Sequence, residues 1–241
     1  YQEGTAIGQG GQALNGTVRQ KLELMARLDL TKVSHLTTSL AYRSFQQESV
    51  SGSRESFLLD AVYHLGRPLG AVKINLGYVA TDAGHRLGGS VERNYEFRTS
   101  ALIVSAGATR AASGDRYLTG QFTYQIALPL GAFDVSLQRE ITSSDQDDTE
   151  QISTEIGMRY LIKMTPLDGF QVSIDLAKAK NTLTGLATIN RAVGFSYERE
   201  LNRDANLKIG LRRRDVRDTI TGAGHSDEIY LSLTRNFNTH Y

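Results

Sequence analysis

Apolar and polar residues alternate with a period of two along nearly the whole chain, and few folds can use such a pattern. Val72, Ile74, Leu76, Tyr78 and Ala80 interleave with Lys73, Asn75 and Gly77. Phe133, Val135, Leu137 and Ile141 interleave with Asp134, Ser136, Gln138 and Glu140, with Arg139 out of pattern. Ile152, Ile156, Met158, Tyr160, Ile162 and Met164 share a face with Thr154 and oppose Ser153, Glu155, Gly157, Arg159, Leu161 and Lys163, and Phe170, Val172, Ile174 and Leu176 alternate with Gln171, Ser173, Asp175 and Ala177. Successive side chains of a strand point to opposite faces, so each set lies on one face. A helix would smear both sets around its circumference. The chain is all-β.

The same reading predicts strands near 16–30, 35–49, 54–65, 71–82, 86–96, 100–112, 116–128, 132–143, 151–164, 170–181, 186–200, 206–217 and 226–238. A segment near 3–10 supplies one more. The turns are a second signal. All 3 prolines sit in one motif, at Pro68-Leu69-Gly70, Pro129-Leu130-Gly131 and Pro166-Leu167-Asp168-Gly169, each followed by a new strand. Thr31–Ser34 and Asn202–Ala205 fill equivalent places, while Val50–Arg54, Ser143–Glu150, Asn181–Gly185 and Thr219–Ser226 read as looser polar connections. Short turns thus alternate with longer ones, as in an up-and-down barrel.

No run of 18 apolar residues occurs, which excludes a transmembrane helix. A transmembrane strand needs only about 9–11 residues, with every second one apolar. The predicted strands are longer than the roughly 5–6 residues usual in a soluble sandwich. In lipid every backbone N–H and C=O must be paired, and closure of the sheet achieves that. The expected architecture is therefore a closed, antiparallel, transmembrane β-barrel of roughly fourteen strands, with twelve as the alternative. It occupies 16–241, and 1–15 form a first strand, a plug or a tether. If the chain is exported, its signal peptide has already been removed, or the sequence begins inside a longer chain.

The C-terminus points the same way. Ile229, Leu231, Leu233, Phe237 and Tyr241 share one parity, broken by Arg235 and Thr239. Ile229-x-Leu231-x-Leu233-x-x-x-Phe237 resembles the closing strand of Gram-negative outer-membrane β-barrels, although the chain ends in Tyr rather than the usual Phe. The resemblance implies residence in the bacterial outer membrane, and recognition of that strand by the barrel-assembly machinery. With Trp 0, an interfacial aromatic girdle falls to the 11 tyrosines.

Chemistry is sparse. With 27 basic and 26 acidic residues the net charge is +1, which gives no basic surface for nucleic acid. Cys 0 rules out disulfides and thiolate metal sites. His35, His64, His85, His225 and His240 show no metal-ligand spacing, Gly8-Gln9-Gly10-Gly11 lacks a following helix and Lys, and no serine has a nucleophile motif. No cofactor, metal or enzymatic activity is expected. The acidic run Ser143–Glu150 reads as a solvated loop. Arg212-Arg213-Arg214 must put charge on both faces of its strand: inside a pore it favours anions, at a membrane rim it meets anionic lipid phosphates or lipopolysaccharide, and the favoured reading is a rim salt-bridged with Asp215 and Asp218.

The expected pore lining mixes signs: Arg43, Asp60, Lys73, Asp134, Glu140, Glu155, Arg159, Asp175, Lys208 and Arg212. Such an interior suits a passive channel for polar solutes or saccharide chains, including export of surface polysaccharide by analogy. The alternative is a non-conducting barrel that anchors a periplasmic or surface partner. Outer-membrane lipid and lipopolysaccharide are the expected surroundings.

Overall fold

The computed structural model describes residues 2–4, 17–47, 53–82, 84–143, 150–202 and 205–235. Within them the strands are β1 (Gln2–Gly4), β2 (Thr17–Thr31), β3 (Ser34–Gln47), β4 (Ser53–Arg67), β5 (Gly70–Thr81), β6 (Gly84–Glu96) and β7 (Ser100–Arg110). There follow β8 (Arg116–Leu128), β9 (Gly131–Ser143), β10 (Glu150–Lys163), β11 (Asp168–Asn181), β12 (Ala187–Asn202), β13 (Ala205–Asp218) and β14 (Gly222–Arg235). They form one 14-stranded sheet in sequence order, to which β1 contributes 3 residues. The other strands run from 11 to 16 residues. Every register described is antiparallel. The up-and-down, all-β expectation therefore holds, whereas no pairing between the two ends of the sheet is described.

Contacts divide the chain into two units, Tyr1–Arg93 with Ser105–Gly120 and Ile141–Gln151, and Asn94–Val104 with Gln121–Glu140 and Ile152–Tyr241. In the first unit, registers stack like on like. Leu22, Tyr42, Phe57 and Ala80 form one row, and Leu24, Leu40, Leu59 and Tyr78 the next. Ala26, Thr38, Ala61 and Leu76 follow, then Leu28, Leu36, Tyr63 and Ile74. Gln20, Ser44 and Glu55 bound this face at one end. From Leu22 to Leu30 the strand advances about 26 Å, or about 20 Å across a bilayer at a tilt of ~40°. That approaches the ~25 Å apolar band of an outer-membrane barrel.

The second unit repeats the design. Phe170, Tyr197, Ile209 and Leu231 form one row, and Val172, Phe195, Leu211 and Ile229 the next. The apolar face ends after Leu176 on β11, at Val193 on β12, at Leu211 on β13 and at Ile229 on β14. Leu176 pairs with Arg191, and Val193 with Arg213, so this border cuts diagonally across the registers. A membrane plane crossing tilted strands produces that diagonal.

These apolar faces are uncovered: Leu24 is 58% exposed, Leu76 59% and Ile229 81%. Among the described residues the buried hydrophobic ones are Ala41, Phe45, Ala111, Ile152 and Ala192, and no large side chain is fully buried. An apolar side chain left in water forfeits about 1.5–3 kcal/mol. A sandwich would have enclosed these leucines between two layers; among the described residues these leucines are exposed.

Several turns differ from expectation: the proline–glycine turns call for positive φ at the glycine, and neither Gly131 nor Gly169 adopts it. The connection read as Thr219–Ser226 is shorter, because β14 begins at Gly222. The Asp218 carboxylate accepts hydrogen bonds from the N–H groups of Ile220 and Thr221 at 2.8 and 3.1 Å, and Gly222 takes φ +88°, which tightens the reversal. After Pro68, positive φ falls on Leu69 (63°) as well as on Gly70 (130°). A side chain in that region is crowded against the following carbonyl. Leu69→Gly is therefore expected to raise stability by about 0.5–1 kcal/mol, read as a higher urea midpoint in lipid vesicles; an unchanged or lower midpoint would show that the turn carries no strain. The readings at Gly8–Gly11, Arg203–Asp204 and most of the Ser143–Glu150 loop lie outside the described residues. So do Phe237 and Tyr241.

Candidate functional site

The residues expected to line a pore lie on the face opposite the leucines. In the first unit Asp29, His35, His64 and Lys73 occupy successive register positions on β2 to β5. The two imidazoles stack with centroids 4.5 Å apart, and Lys73 Nζ reaches Glu92 on β6 at 2.8 Å. Two residues along, Asn75 donates to the Ser90 hydroxyl at 3.1 Å. Asp60 sits between Ser39 and Gly77, and Arg43 between Lys21 and Ser56. Near the ends of these strands, buried Glu150 accepts from the Ala112 N–H at 2.7 Å and lies 3.7 Å from Arg86. This carboxylate ties the β7–β8 connection to β6 and β10.

The second unit's polar face is charged as well. Gly169, Glu198, Lys208 and Ser232 form one row of its polar face. Gln171, Ser196, Gly210 and Tyr230 form the next, followed by Ser173, Gly194, Arg212 and Glu228, then Asp175, Ala192, Arg214 and Ser226. Asp175, Ala177, Asn190, Ala192, Arg212 and Arg214 line a niche of about 290 Å³. Two guanidiniums and one carboxylate there face small neighbours, so the niche can hold water or part of a polar solute. Arginine's planar fork suits carboxylate and phosphate oxygens.

Glycines shape this face. A Cβ on Gly194 would sit 2.8 Å from the Ser173 hydroxyl, and one on Gly157 2.8 Å from that of Ser136 and 3.8 Å from Asp175. These contacts put Ser136, Gly157 and Asp175 on one face, together with the residues of like parity, Asp134 and Glu140 on β9 and Glu155 and Arg159 on β10. At Gly210 the space a side chain would need is filled by the Tyr230 ring. The ring lies across the glycine.

At the loop end, Asp218 is hydrogen-bonded first by the Thr188 hydroxyl at 2.5 Å and then by the Thr221 and Ile220 N–H groups, which hold its carboxyl down at about 2. It closes β13 beyond the apolar band, and stays ionised there.

All ten residues expected to line a pore thus stand on polar faces, within their own units. The alternation did not reveal their register neighbours Glu92, Glu198 and Glu228, for which parity within β6, β12 and β14 was the available signal; Arg214 belongs to the arginine run already marked as two-sided charge. Ile229, Leu231 and Leu233 lie on the exposed apolar face of β14.

No protein-family model and no curated protein sequence matches the chain. Among solved structures it is similar to a loop-L8 deletion mutant of OmpT, an outer membrane protein of Vibrio cholerae, at 9% sequence identity and a TM-score of 0.45. The match covers 92% of this chain and 97% of that one. At so low an identity and TM-score, the functional reading rests on the chain's own geometry.

Proposed function

We propose that the chain is an outer-membrane β-barrel whose polar face encloses a passive channel for polar solutes or saccharide chains. The observation that carries this reading is the segregation of the two faces. Uncovered leucines fill one side, while the other is charged, hydrogen-bonded and notched by glycine. Water on the apolar side is unfavourable, and lipid on the charged side more so. Only an arrangement that gives each face its own medium satisfies both.

Closure follows from the same physics. Unpaired N–H and C=O groups along β14 cannot face hydrocarbon, where each costs several kcal/mol. Successive strands reverse direction, so β2 and β14 run the same way. An antiparallel ring needs one more strand between them, and β1 pairs antiparallel with β2 on its free edge. A ring of fourteen is the count this implies.

Mixed charge supports a channel over a plain anchor, because opposed charges can orient polar solutes in ordered water. Planar-bilayer recording tests the reading. Purified protein should give steady single-channel current, and the double variant Arg212→Glu, Arg214→Glu should shift permeability from anions toward cations. Silence of correctly folded, inserted protein would refute the channel and leave the anchor reading.

A further inference from the structure

The charge that continues outward from the apolar band of the second unit has no part in a channel. Lys178 and Lys180 on β11, Arg191 on β12, and Arg213 and Arg217 on β13 belong to the same parity sets as the exposed leucines, just beyond the diagonal border. All five are exposed. Only two carboxylates of that parity accompany them, Asp215 and Asp227, and Asp215 lies 3.8 Å from Arg213. Arg191, Asp215 and His225 share one register row, with Arg213 and Arg217 two residues to either side of Asp215 on β13. A groove of about 210 Å³ opens here, lined chiefly by Ile189, Arg191, Asp215, Arg217 and His225.

We propose that this rim binds the phosphate groups of an anionic lipid headgroup in the membrane leaflet it faces. Three observations agree on that occupant. Five cations against two anions leave an excess of positive charge toward phosphate. The guanidinium of Arg191, in register with Asp215, and those of Arg213 and Arg217, four residues apart on β13, can grip separate phosphate oxygens with paired hydrogen bonds. Immediately below lie Val193, Phe195, Leu211 and Ile229, exposed and positioned for the acyl chains of the same molecule. The rim flanks the 182–186 and 219–221 connections, on the edge that carries the longer loops. In outer-membrane barrels that edge faces outward, so the ligand is a phosphorylated outer-leaflet glycolipid.

This inference rests on the membrane reading above, and its test separates the two. The full chain is reconstituted, and retention of bisphosphorylated lipid A is compared with that of its dephosphorylated form by native mass spectrometry, with inorganic pyrophosphate as a soluble competitor. Parent protein should retain the phosphorylated lipid preferentially. The triple variant Arg191→Gln, Arg213→Gln, Arg217→Gln should bind it about tenfold to a hundredfold more weakly. Heat-modifiable gel migration monitors folding, and the single variants Arg191→Gln and Arg217→Gln replace the triple if it does not fold. Equal retention of both lipids, or no loss in a folded variant, overturns the rim. Pyrophosphate competing as strongly as the lipid makes it a free-phosphate site and overturns the lipid claim. Failure of the parent to insert refutes the membrane reading instead.

Discussion

Leu59→Arg is expected to destabilise the inserted protein by about 2–4 kcal/mol, the penalty for an arginine on the lipid side near the bilayer midplane. Leu59 lies in the middle of β4, 44% exposed, between Leu40 and Tyr78 in register. No charged residue occurs on this face between Leu22 and Leu30 of β2 or between Phe57 and Leu65 of β4. The guanidinium would have to remain in hydrocarbon or drag water inward. Asp60→Asn alters the adjacent residue on the opposite face and should cost far less. Urea titration in lipid vesicles compares the two. Equal midpoints would mean that this face does not meet lipid, and the membrane assignment would fall with it.

The second large effect is expected at the start of β9. A Cβ on Gly131 would overlap the backbone carbonyl of Leu161 and lie within 3.3 Å of Ile162 Cα. The adjoining Leu130 carbonyl accepts from the Lys163 N–H at 2.7 Å, which pins the two strands together there. Because the obstacle is main chain, no change of rotamer relieves it. Gly131→Ala should therefore lose about 3 kcal/mol, at the upper end of overpacking costs. Gly224→Ala, with nothing within 4 Å of its added methyl, is the matched control. The readouts are the vesicle urea midpoint and the fraction of heat-modifiable protein. A Gly131→Ala variant as stable as Gly224→Ala would show that β9 and β10 are not so closely apposed.

Much of the architecture was legible because alternation is a local property. The side of a strand on which Asp175 or Lys73 stands depends only on its own neighbours, so the two faces could be read without knowing how strands pair. Register is different. That Lys73 meets Glu92, or that Arg212 stands beside Glu228, depends on the number of residues spent in each turn. A slip of one residue would invert every face. The turns themselves were the least legible part. The 219–221 reversal is tight because a side chain, Asp218, substitutes for loop length, and composition alone favoured a longer connection. The Arg212–Arg214 run marked a two-sided charge from the start. Only the described registers assign Arg213 to the rim beside Arg191 and Asp215, and Arg212 and Arg214 to the niche beside Asp175.

One consequence follows from Tyr230 lying over Gly210. An aromatic ring that stood upright from the wall of a cylinder would act as a baffle and narrow the passage at its level. Folded flat into a dent left by the missing side chain, it serves as panelling: it presents a broad smooth surface, and in the channel proposed above it would leave the aperture open. Filling that dent, as in Gly210→Val, would raise the ring from the wall, so one methine and two methyls at a glycine could throttle flow more than the loss of a charge.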